Sequence, residues 1–199
     1  MVTTVRFAGC GVVLAAALIA STAAAQTVGA QQTPRGPNFR VEIWGDALTE
    51  FSARLSAYAR LRQTLQKGLP ALAVTANPAE ILIAENALAL RIRRARAGAR
   101  RGDIFSPKIR AAFRRALAGV ANPGICESIR DDNPGKFFYD VNATYPKKEP
   151  HSTVPPSVLA ALPSLPDDVM YRFLDRDLIL HDTRANVILD RIENVIQCR

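Results

Sequence analysis

Cysteine is scarce in this chain, and the scarcity removes one class of chemistry. Three cysteines occur among 199 residues, at positions 10, 126 and 198. A cysteine-only metal site lacks ligands. The two histidines, His151 and His181, stand far apart in sequence, and no HExxH, paired CxxC or EF-hand loop is present. GxSxG, Walker and GxGxxG motifs are absent too. No linear motif names a reaction, and the expectation is a protein without metal or cofactor. A site assembled from scattered residues would leave no linear signature.

Long apolar runs are missing as well, apart from one near the N-terminus. Ala8 to Ala20 is uncharged and apolar, follows Arg6, and leads to Ala23-Ala24-Ala25. It falls short of the roughly 20 residues that span a bilayer. The pattern is that of a secretory signal peptide over 1–25, cleaved near Ala25/Gln26. Cys10 lies at the start of the apolar run and not after it, which argues against lipidation. The expected mature chain has no transmembrane span and is periplasmic or secreted. It keeps two cysteines, Cys126 and Cys198, which an oxidising compartment favours as a disulfide over two unpaired thiols.

Acidic residues are also short. Lys and Arg number 26 against 18 Asp and Glu, a formal net charge of +8. Such a balance favours anionic partners. The excess is concentrated over 91–115, where ten basic residues face Asp103 alone. Arg93, Arg96 and Arg100 fall at helical spacing. Arg110 and Arg114 stand one turn apart on the next helix, and Arg101 lies between. These six are the candidate anion-binding residues, forming an arginine-rich ridge. Arginine suits phosphate and carboxylate because its planar fork donates paired hydrogen bonds. A solvated face, with arginines favoured near a helix C-terminus, would account for the same pattern. The segment lacks interleaved aromatics, which argues against single-stranded nucleic acid, and export argues against genomic DNA. The expected partner is an anionic envelope component (phospholipid, lipopolysaccharide or acidic glycan) or an envelope protein.

Along the chain, 26–42 is polar, bears Gly and Pro, and reads as a flexible lead-in. A single α+β domain is expected over 43–199, helical over 45–131 and sheet-containing over 137–199. Leu48, Phe51, Leu55 and Tyr58 recur at helical spacing after Asp46, a candidate N-cap. Asn77-Pro78-Ala79-Glu80 opens a second helix and Ser106-Pro107 a third. Ile125 to Arg130 makes a short helical candidate, and Val158 to Leu162 a helical turn. "FFYDVNATYP", from Phe137, is aromatic and β-branched, as strands are. Period-two runs around Asp175-Arg176-Asp177 predict a hairpin, and "VILDRI" a third strand, a meander expected to bury one face against the helices.

His181, Asp182 and Asp190 carry the alternative reading, a metal-dependent or hydrolytic enzyme. Two points weigh against it. Neighbouring strand residues point to opposite faces, so His181 and Asp182 diverge unless the strand ends there. Aspartate also serves turns by bonding nearby backbone amides.

"RRGDIF" (Arg101 to Phe105 within it), Asp132-Asn133-Pro134 and "YRFLDRDLILHDTRANVILD" (Tyr171 to Asp190) together resemble the signature of a group of uncharacterised secreted bacterial proteins. In that group glycine often stands where this chain has Asp175. The resemblance implies an exported α+β protein and carries no mechanism.

Overall fold

Proline sets the start of four helices here, because its missing N–H costs nothing at the first helical position. The computed structural model describes residues 39–69, 77–132 and 139–197. Helix α1 runs Phe39–Gln66, α2 Pro78–Ala95, α3 Pro107–Ala118, α4 Pro123–Asp131 and α5 Pro156–Ala160. Asn77, Ser106 and Asn122 cap α2, α3 and α4, their side chains accepting from the N–H groups of Ala79, Ile109 and Ile125. Helix α1 begins upstream of Asp46, so Asp46 is not its cap and instead pairs with Lys108 at 2.9 Å. Gly68, at φ 74°, turns the chain out of α1, and Arg91 donates to the carbonyls of Leu65 and Lys67 there.

Strands β1 (Val169–Leu174), β2 (Asp177–Asp182) and β3 (Val187–Ile192) form an antiparallel meander in the order β1-β2-β3. The α+β class and the C-terminal meander expected from the sequence are both present. The hairpin loop is two residues, with Asp175 at φ 55°, a conformation glycine adopts freely. The core lies between helices and sheet. Phe51 of α1 stacks on Phe105 at 5.7 Å and meets Phe113 of α3 edge-on at 5.1 Å. Phe113 reaches Tyr171 of β1, joining both layers.

Two further expectations differ from the structure. The first concerns "FFYDVNATYP". Residues 139–146 form no strand, Thr144 alone bridging Val187, while 137 and 138 lie outside the described residues. Asn142, at φ 66°, breaks the run, and its amide donates to the carbonyls of Arg93 and Arg96 at 2.9 Å each. The segment is a cap for the end of α2. The second concerns the sheet, expected to bury one face and in fact buried on both. Leu174, Ile179 and Ile188 form a second apolar cluster with Tyr145 on the side away from the helices. The unbroken apolar stretches Leu178–Leu180 and Val187–Leu189 reflect this two-sided burial.

Candidate functional site

Asp190 is fully buried, and its carboxylate grips a loop. It accepts from Gly102 N at 2.9 Å, Ile104 N at 2.8 Å, Phe105 N at 2.7 Å and Arg191 N at 2.7 Å. A register shift at Leu180/His181 makes this possible. Leu180 pairs with Asp190 and His181 with Ile188, so Leu189 is an extra residue. Such a bulge lets Leu189 enter the core while Asp190 addresses the loop. Gly102 sits at φ 100°, and a Cβ there would lie 2.9 Å from Arg110 Nη1. Two pieces of the sequence signature, "RRGDIF" and Asp190, are therefore the two halves of one contact. Of the third piece, Asp132 is also engaged, accepting from the backbone and hydroxyl of Thr153, bonds that lower its pKa.

Asp182 is fully buried on the helix side. Its Oδ1 accepts from Arg184 N at 3.0 Å and Ala185 N at 2.9 Å. Its Oδ2 accepts from the hydroxyl of Tyr58, with Arg62 Nη1 at 3.5 Å. Burial and the Asp182 charge raise the Tyr58 pKa far above that of an ordinary phenol. The Arg96 guanidinium lies over the Tyr58 ring, 5.5 Å from its centroid.

His181 points the other way, as strand alternation requires. Arg172 Nε donates to its Nδ1 at 3.0 Å, and Nε2 lies 2.9 Å from Asn186 Oδ1. Arginine only donates, so the ring proton resides on Nε2. Asn186 donates onward to Tyr145 O at 2.9 Å. Burial, with Arg172 and His151 adding to it, pushes the His181 pKa down to about 4 against the Asn186 bond. The Tyr145 ring touches both imidazoles, at 4.8 Å from His151 and 5.1 Å from His181.

The structure does not bring His181, Asp182 and Asp190 to one point. Each is held by its own hydrogen bonds, and the two carboxylates have their oxygens occupied by protein donors. Among the described residues no group of three or more His, Cys, Asp or Glu is arranged to hold a metal. Tyr58, Arg62, Arg172 and Asn186 complete these networks. No linear pattern could have placed Tyr58 with Asp182, which are 124 residues apart.

The six ridge arginines separate as well. Helix α2 ends at Ala95, so Arg100 lies beyond it and the expected common helical face of Arg93, Arg96 and Arg100 is cut short. Arg93 donates to Asn142 O at 3.1 Å and Arg96 to Leu189 O at 2.9 Å. Burial lowers the Arg96 pKa. Arg110 donates to Phe105 O at 3.0 Å and Arg114 to Glu193 O at 2.8 Å, while Arg101 pairs with Glu193. The Arg100 side chain is exposed. Cys198 lies outside the described residues. Cys126 lines a cleft of about 430 Å³ with Asn194, Val195 and Gln197, the last being the neighbour of Cys198. Among the described residues no helix is long and apolar enough to cross a membrane.

Comparison with family models, curated proteins and solved structures finds no match to the chain, so the resemblance to secreted bacterial proteins stands on its residues alone.

Proposed function

We propose that this is an exported, non-catalytic protein that binds an anionic envelope surface through arginines around the α2–α3 junction. One observation carries the reading. Of the ten basic side chains over 91–115, only Arg101 and Lys108 pair with a carboxylate among the described residues. The others that are engaged donate to backbone carbonyls. Such bonds satisfy donors but leave the positive charge uncancelled, and the summed field attracts anions.

Phospholipid is the favoured surface. Ile83 and Leu90 of α2 are 64 % and 48 % exposed. They stand seven residues apart, with exposed Arg94 four further on, so all three share a helical stripe. An apolar stripe ending in arginine suits the lipid interface better than a glycan.

The structural roles of Arg96 and Arg110 make them poor test positions. Arg94, Arg100 and Arg115 are exposed, and the variant Arg94→Glu/Arg100→Glu/Arg115→Glu spares the packing. At ~1 kcal/mol for each arginine near an anionic membrane, the variant should bind phosphatidylglycerol vesicles about a hundredfold more weakly in sedimentation assays. Wild-type binding should also fall as salt rises. Equal binding by variant and wild type rejects the reading. Retention by lipopolysaccharide or acidic glycan but not by vesicles would change the partner.

Export and the Cys126–Cys198 bond belong to the same proposal. The shared cleft of Cys126 and Gln197 supports them. Protein recovered from the envelope should lack its first 25 residues by mass and react with maleimide only after reduction. Free thiols in that material, or an intact leader, would refute this part.

A further inference from the structure

A second binding feature lies on the opposite flank of the sheet from the arginine surface's loops, beside strand β1. Strand β1 is an edge, since the sheet order is β1-β2-β3. Its outer side is tied at both ends: Val169 N donates to Pro166 O at 3.1 Å, and Phe173 O accepts from the Ser152 hydroxyl. Between these ties runs a cavity of about 440 Å³, within the range of small-molecule sites. Val154, Leu159, Leu162, Leu165 and Met170 make it apolar, and Arg172 stands in its wall. Leu159 and Met170 are 46 % and 50 % exposed, which leaves apolar surface open to an occupant.

Arg172 decides the chemistry. No carboxylate among the described residues comes within ion-pair distance of it. Its Nε is committed to His181 and one Nη1 proton to Ser152 O at 3.1 Å. Among the described residues Nη2 meets only the Met170 sulfur, at 3.9 Å. The titratable groups among the described residues that interact with it are the Tyr145 phenol and the His181 and His151 imidazoles, none of them an anion at neutral pH. A half-buried guanidinium with spare donors and no counter-charge is complementary to one carboxylate.

We propose that this groove binds a monocarboxylate with a hydrocarbon tail, its carboxylate on Arg172 and its chain along Leu159 and Leu162. A phosphate head would bring two charges to one cation. An added peptide strand would find only Tyr171 between the two ties, too short an edge for ladder pairing.

Calorimetric titration of the full mature chain at neutral pH tests this with decanoate, decanol and acetate, all below aggregating concentrations. Decanoate should bind, decanol about tenfold more weakly, and acetate not at all. Met170→Glu sets a competing carboxylate beside Arg172 at an exposed position, so the fold should tolerate it. It should weaken decanoate about tenfold more than it weakens decanol. Leu159→Asp, also exposed, should weaken both. Equal affinity for decanoate and decanol overturns the proposal, as does indifference to both substitutions. Displacement of decanoate by a lower concentration of a leucine-rich pentapeptide would make the groove a peptide site and overturn it too. Neither variant alters the arginines of the vesicle assay, so the two proposals fail separately.

Discussion

Replacing Asp190 with alanine is expected to destabilise the fold by about 5 kcal/mol, near the lower bound of a typical domain's whole stability. The carboxylate is fully buried and accepts from four backbone N–H groups. Removing it strands the amides of Gly102, Ile104 and Phe105 in the interior, and each unsatisfied buried donor costs about 1–3 kcal/mol before water or rearrangement relieves it. Asp190→Asn keeps the size but turns an NH2 group toward those donors, so a smaller loss of about 3 kcal/mol is expected. Urea unfolding measures both. Amide exchange locates the effect: the Gly102, Ile104 and Phe105 amides should lose protection before the helices do. An Asp190→Ala protein within about 1 kcal/mol of wild type would mean the loop holds itself.

The second large effect is loss of stability in mild acid. His181 is buried as the neutral imidazole, with its pKa pushed from 6.5 down to about 4. The unfolded chain therefore binds a proton that the folded chain refuses across that interval. Stability is complete above about pH 6.5 and declines as pH falls toward 4, by about 3 kcal/mol in all at 1.36 kcal/mol per pKa unit. His151, whose pKa burial and Arg172 also lower, pulls the same way, though it is exposed and adds less. Protonating His181 would place a cation against Arg172 Nε and reverse the donor role at Nδ1. His181→Gln should flatten the pH slope between 6.5 and 4 relative to wild type. Parallel slopes for the two proteins would show that other groups carry the acid sensitivity.

Both predictions concern residues that the sequence marks as conspicuous. The cluster of Asp175, Asp177, Asp182, Asp190 and His181 reads as turn chemistry, and the hairpin and third strand appear, with Asp177 in β2 and not in the turn. Yet turn duty describes Asp190 poorly, because its partners are amides 85 to 88 residues earlier. Asp182 does serve its turn, through Arg184 N and Ala185 N, and also holds Tyr58 from α1. The arginine run shows the converse. Its density is plain in sequence, but the end of α2 at Ala95 depends on Asn142, whose amide takes carbonyls that a longer helix would have used internally.

What the sequence determined by itself is local: helix starts at Asn77 and Ser106, the hairpin turn around Asp175-Arg176-Asp177, and the excess of positive charge. Those follow from single residues acting on their neighbours within a turn of backbone. Only the tertiary structure decided which polar groups are consumed and which are left over. It closed Asp182 and Asp190 inside hydrogen-bond networks and left Arg172 with donors to spare beside an apolar groove. The reason is physical: a buried polar group takes whatever partner the packed chain brings within about 3 Å, and that partner is set by folding, not by distance along the chain.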